Sequence, residues 1–305
     1  MRVLLWLLVA FSGRHDGKEI TDRLVPPGWV GNPWGPAATA ARKAGKLPPI
    51  PETPEMKQWD RWGRQVLQTG DILFRRGDAR VLRGMFPFSR FTANVTGSQF
   101  SHTGTVVIED GEPVVYDTTN PSVRRQPFKV WVLDNTGPFG AKRLKPQYRN
   151  RIPKVVEYLK DVYQKQVPFD WELSNDDRAL YCLEMTEKAF RHAGLTLSEP
   201  VVLHNMENIN EFPICVLAFT TISPLKLDQA VFFPGNERHG VWSSPYLETI
   251  YSEPVSPLRN PPRAKPPVVK ADPGATTVAM PPPDPSTAAA RAKSVADRAR
   301  VAPRN

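Results

Sequence analysis

Proline is spread so unevenly along this 305-residue chain that it marks where a core can form. Residues 13–54 hold 8 of the 33 prolines and residues 251–305 hold 12, leaving 13 for positions 55–250. Proline fixes φ and removes an N–H donor, so dense proline excludes helix interiors and central strands. The distribution predicts one folded unit over 57–250, a Pro-rich irregular extension over 13–56 and a disordered basic Pro/Ala-rich tail over 251–305. A unit of about 190 residues can bury a substantial core.

Charge follows the same division. Of the net +9, the tail from Arg259 onward contributes nine Lys/Arg against three Asp/Glu, so the rest of the chain is near neutral. That balance gives the folded unit no signature of a specific nucleic-acid partner. The tail is expected to be solvated, with electrostatic contact to anionic envelope polymers as the alternative. At the other end, Met1-Arg2 precedes the nine apolar residues 3–11, and Ala10-Phe11-Ser12 offers a small-x-small cleavage site. Residues 1–12 read as a signal peptide, with a buried strand or helix as the alternative. Nine residues are too few for a membrane span, which takes about 20. The expected location is therefore exported: periplasm or cell envelope.

Only Cys182 and Cys215 are present. That is too few for a disulfide scaffold, no Cys/His spacing suggests zinc, and no Gly-rich phosphate loop occurs. No cofactor or metal is expected. Cys215, within the apolar run 214–219, reads as a core strand residue. Cys182 is different. It lies near the start of a helical pattern that Gly194 ends, after the N-cap oxygens of Ser174, Asn175, Asp176 and Asp177. Cys182, Thr186, Ala189 and Ala193 form one narrow face of small residues. The positive end of a helix dipole favours thiolate over thiol, and thiolate is the form that attacks a carbonyl. A buried structural cysteine is the plainer reading unless a histidine and a carboxylate join it.

Two strands supply them. Residues 99–108 alternate so that His102, Gly104 and Val106 share a face, and the turn at 109–112 leads into a strand over 113–118. With Ile108 opposite Pro113, Asp117 falls opposite Gly104, diagonal to His102 at roughly 7–8 Å. A histidine beside a thiol can take its proton, and a carboxylate on the far ring nitrogen fixes the tautomer. Further strands are expected over 71–75, 128–133, 140–144 and 231–233, and helices over 56–68 and 148–166. Residues 77–98 are expected to give a short helix and loop beside the site. Asp71 reads as a turn former, Tyr181 as a packing residue or an oxyanion donor. Asp170, Asp176 and Asp177 read as loop and cap residues, and His15, His192, His204 and His239 as surface residues.

The ordered set Gly70-Asp-Ile-Leu-Phe74, Ser101-His-Thr-Gly-Thr-Val-Val107, Val115-Tyr-Asp117, Val167-Pro-Phe-Asp170, Tyr181-Cys-Leu-Glu184 and Ile222-Ser-Pro224 resembles the YiiX/YebB-like family. These are circularly permuted papain-fold cysteine hydrolases of the NlpC superfamily, in which histidine and the third polar residue precede the cysteine. The resemblance covers roughly 69–235. It implies an α+β fold in which an antiparallel sheet packs against a cysteine-bearing helix. It also implies Cys182 as nucleophile, His102 as base and Asp117 as the orienting group. The third position is commonly Glu, one methylene longer than Asp117, and Leu183 stands where Ser or Thr is common; Glu184 fits the Cys-x-Glu pattern. The expected activity is amide hydrolysis on peptides, peptidoglycan fragments or amide-linked lipids. Acyl transfer on the same fold and a non-catalytic wall-binding module are the alternatives.

Overall fold

The computed structural model describes residues 36–50, 52–77, 88–222 and 226–253. The apolar run at 3–11, His15, residues 78–87, Ser223-Pro224 and the tail from 254 lie outside the described residues.

A six-stranded sheet is the scaffold. It contains β1 (Ile72–Arg75), β2 (His102–Glu109), β3 (Glu112–Thr119), β4 (Ser122–Pro127), β5 (Phe139–Leu144) and β8 (Leu247–Ser252). The spatial order is β4-β3-β2-β1-β5-β8, with every neighbouring pair antiparallel. The β2–β3 register is the one the turn predicts, with Ile108 opposite Pro113 and Thr105 opposite Tyr116. Asp110 and Gly111 at the turn both adopt positive φ, 51° and 79°. Primed two-residue turns need that conformation, and Asp-Gly supplies it.

Alternation sends side chains to two separate cores. On one face Ile72, Phe74, Val107, Val114 and Tyr116 meet α5 (Ile152–Gln164) and α6 (Cys182–His192) through Val155, Leu159, Met185, Ala189 and Phe190. On the other face Leu73, Val106 and Val115 meet Trp59 and Trp62 of α2 (Pro54–Val66) and Phe128 and Trp131 of α4 (Phe128–Trp131). Each such side chain, fully buried, contributes about 1.5–3 kcal/mol before entropy is counted. α2 starts at an N-cap, where Thr53 Oγ1 accepts the Met56 N–H at 3.1 Å, with proline in the first turn. Helix α3 (Phe88–Val95) is the short helix expected within 77–98. A two-stranded sheet pairs β6 (Val201–Val202) with β7 (Ala230–Val231).

Four expectations need correction. The extension over 13–56 is not wholly irregular, since α1 spans Pro36–Lys43. Residues 128–133 form no strand: α4 and a 3₁₀ turn at Val132–Asp134 take their place, and the strand beside β3 is β4. Pro127 ends that ladder because it has no N–H to give, and the aromatic residues after it coil to fill the second core. The loop polar residues do not cap the cysteine helix, which begins at Cys182 itself with Tyr181 as N-cap. Asp176 instead bonds Arg178, Asp177 bonds Lys188, and Ser174 donates to Asp170. Finally, Cys215 lies on helix α7 (Pro213–Ile222), not on a core strand. Helix α7 is apolar apart from Thr220 and Thr221, yet leaves Ile214 and Leu217 81% and 68% exposed. Among the described residues no helix is long and apolar enough to cross a membrane.

Candidate active site

Backbone geometry explains why Cys182 stands where it does. As the first residue of α6, its N–H has no carbonyl within the helix to bond. Glu184 reaches back from the third helical position, and its Oε2 accepts the Tyr181 N–H at 3.3 Å. Glu184 is buried and its Oε1 lies 2.8 Å from Lys188 Nζ. Burial outweighs that lysine and pushes the Glu184 carboxyl up to about 8. The carbonyl of Cys182 accepts from Thr186 Oγ1 at 3.1 Å and from Thr103 Oγ1 at 3.4 Å. Thr103 and Thr186 also bond each other, so the helix start is tied to the strand residue next to His102.

His102 is the first residue of β2. Its Nε2 lies 2.7 Å from Asp117 Oδ2, and the Cys182 side chain stands near enough to the ring to act on its charge. With Nε2 engaged by the carboxylate, Nδ1 is the nitrogen left for sulfur. The thiol-bearing helix packs on the α5/α6 face, while alternation puts His102 and Asp117 on the α2/α4 face. They meet because His102 stands at the end of its strand. The close diagonal approach depends on Gly104: a Cβ there would sit 2.4 Å from Val115 Cγ1 and 3.3 Å from Asp117 Cβ. With that space open, the shorter Asp side chain reaches the ring.

Asp117 is completely buried and saturated with donors. Arg124, its partner across the β3–β4 ladder, donates Nε to Oδ1 at 2.9 Å and Nη2 to Oδ2 at 2.7 Å. Trp131 donates its indole N–H to Oδ2 at 2.6 Å and stacks on the His102 ring, centroids 5.9 Å apart. Burial opposes the carboxylate charge. The Arg124 guanidinium, its paired hydrogen bonds and the His102 ring overcome it and hold Asp117 far below the usual carboxylate range. For His102, burial disfavours the imidazolium, but the nearby Cys182 side chain and the hydrogen bond to Asp117 favour it and prevail. Against the opposing field of Arg75, the ring is pushed up to about 9. Arg75, opposite His102 on β1, is buried with its guanidinium 4.2 Å from the Trp131 ring centroid and 3.2 Å from Asp134 Oδ2.

The structure thus gathers Cys182, His102 and Asp117. The sequence reading missed Arg124 and Trp131. Alternation along 122–127 puts Arg124 on the inward face beside Asp117, but those residues carry little strand propensity. Trp131 was hidden by its strand-like neighbours. Tyr181 is a packing residue whose hydroxyl accepts the Phe232 N–H at 2.7 Å. His192 lies beside Tyr158, His204 bonds the Leu227 carbonyl, and His239 lies 3.5 Å from Glu207. Asp71 is more than a turn former, being buried against Arg143. Asp170 is a loop residue that accepts the Glu172 N–H at 2.8 Å. Among the described residues no group of three or more His, Cys, Asp or Glu side chains gathers as metal ligands would.

Known proteins share this arrangement of sequence and fold. The YiiX protein of Escherichia coli (strain K12) is 25% identical over 189 residues, which is 61% of this chain and 87% of YiiX. The crystal structure of the metalloprotein YiiX from Escherichia coli O157:H7 superposes with a TM-score of 0.51 at 24% identity, covering 61% of this chain and 97% of that one. Residues 66–243 match the family described as permuted papain-like amidase enzymes, YaeF/YiiX, C92. The chain belongs to that family and is a cysteine hydrolase on a permuted papain-like fold.

Proposed function

We propose that the chain hydrolyses amide bonds through Cys182 as nucleophile, His102 as acid and base, and Asp117 as the group that orients the imidazole. The observation that carries this reading is the His102 ring hydrogen-bonded to the Asp117 carboxylate, with the Cys182 side chain near enough to act on its charge. An imidazole pushed up to about 9 is protonated at neutral pH, which suits a thiolate–imidazolium pair. The sulfur attacks the amide carbonyl, and the developing oxyanion meets the free N–H of Cys182 at the positive end of α6. The imidazolium gives its proton to the leaving amine and a thioester remains. Water then adds to the thioester, its proton passing to His102, and the acid product leaves with regeneration of the thiolate.

The substrates we propose are peptides of the cell wall or amide-linked lipids met outside the cytoplasm. This rests on reading residues 1–12 as a signal peptide, from the apolar run at 3–11, and on the family resemblance. Mass spectrometry of Cys182 after incubation with wall digests and lipid extracts tests it. An acyl adduct on Cys182 that Cys182→Ala and His102→Ala both lack is the expected result. A wild-type chain no more active than Cys182→Ala would leave only a binding module. The rate should fall along an alkaline limb where the His102 imidazolium loses its proton, near the value of about 9.

A further inference from the structure

We infer that Arg124 is a positioning residue of the reaction: it acts through Asp117, fixing the carboxylate for His102 and balancing its charge. This rests on the Cys182–His102 reading above. The geometry is a two-pronged contact between side chains that are both nearly or wholly out of water. Arg124 is 9% exposed and Asp117 is 0% exposed. Nε and Nη2 of the guanidinium grip both carboxylate oxygens, at 2.9 and 2.7 Å, so the carboxylate cannot rotate about its own axis. Oδ2 is thereby aimed at His102 Nε2, 2.7 Å away. A lone aspartate on a strand has two terminal torsions free to turn away from the ring; this one has neither.

The charge balance is the second part. With Arg124 present, Asp117 and Arg124 together are neutral. The thiolate–imidazolium pair then forms beside a neutral couple and not beside a net negative charge. Without Arg124 the carboxylate would be a buried, uncompensated anion. It would hold the imidazolium proton more tightly and make the ring a poorer acid toward the leaving amine. The groups facing His102 are Arg75 from β1, Asp117 from β3, Cys182 from α6 and the Trp131 ring from α4. Arg75 has its own carboxylate in Asp134, so Arg124 is the cation matched to Asp117.

The test is the pH dependence of Cys182 alkylation by iodoacetamide, read by peptide mass so that Cys215 is scored separately, together with turnover. Arg124→Gln should move the alkaline limb upward by roughly one unit, since a cation has been removed. Turnover at the optimum should fall about 10²-fold through misplacement of the ring. Asp117→Asn should move the limb the other way. Arg124→Lys, which keeps the charge but loses the fork, should keep the limb in place and recover only part of the rate. A limb unmoved in Arg124→Gln overturns the inference. Should Arg124→Gln not fold, the pair Asp117→Asn with Arg124→Gln removes both charges together and decides the matter. It should turn over no more slowly than Asp117→Asn alone, and a further loss overturns the inference. His102→Ala with a wild-type alkylation profile would instead end the dyad reading, a failure distinct from that of Arg124.

Discussion

Two aspartates in this molecule are buried against arginines in almost the same way, yet they differ in what they do. Asp71 meets Arg143 through Nε at 2.7 Å and Nη2 at 2.8 Å, and takes the Gln68 N–H at 2.7 Å. Asp117 meets Arg124 through the same two nitrogens. Burial wins at Asp71 and raises its carboxyl despite Arg143; at Asp117 the cations win and lower it. The difference lies in the remaining donors. Asp71 binds backbone and ties the start of β1 to β5, whereas Asp117 binds an imidazole and an indole. A two-pronged arginine therefore marks a buried carboxylate but not a reaction centre. The histidine at Oδ2 makes that distinction.

Substitution at the two aspartates should separate them most sharply in turnover. Asp117→Asn is expected to lower kcat by about 10²–10⁴. Asp71→Asn should leave kcat of the folded protein unchanged, and equal losses at both sites would erase the contrast. Stability should reverse the order. Asp71→Asn breaks the tie between β1 and β5 and leaves Arg143 half-buried without its anion, at a cost of roughly 3 kcal/mol in denaturant unfolding. Gly104→Ala should act at the Asp117 site alone. The added Cβ pushes Val115 and Asp117 away from β2, and a loss of about 10-fold in kcat is expected.

The smallest effect is in acid. The folded pKa of Asp117 lies below the unfolded value of about 3.9, so the unfolded chain takes up the extra proton and stability drops as pH falls through that range. Asp71 has its folded pKa raised, so there the native state takes up the proton first, above about 4, and gains stability as pH falls through that range. The slope of Tm against pH should therefore flatten below about 4 in Asp117→Asn and steepen just above about 4 in Asp71→Asn.

How far the fold could be read from the chain depended on whether local chemistry had a single outcome. Asp110-Gly111 admits one tight turn, and that turn fixed the register that sets Asp117 diagonal to His102. Residues 128–133 had no such device. Their aromatic and β-branched pattern suits a strand, but Pro127 ends the ladder and a buried pocket for Phe128 and Trp131 decides for a helix. The start of α6 was misplaced because the cap-forming residues at 174–177 found partners in Arg178, Lys188 and Asp170 instead. Cys215 was misread for a related reason: an apolar run of that length has no period that separates helix from strand. Within the site, the two strand residues were legible from alternation. Arg124 and Trp131 were not, because both depend on where the chain goes after Thr119.

His102 stands at the end of its strand, near a sulfur borne by a helix of one layer and bonded to a carboxylate on the other face of the sheet. The reacting atoms are thus shared by two hydrophobic cores on opposite faces of one sheet. Heat or mutation that loosens either layer alone would disarm the protein while most of its secondary structure survived. Loss of turnover should then precede loss of the far-ultraviolet signal, whichever layer gives way first.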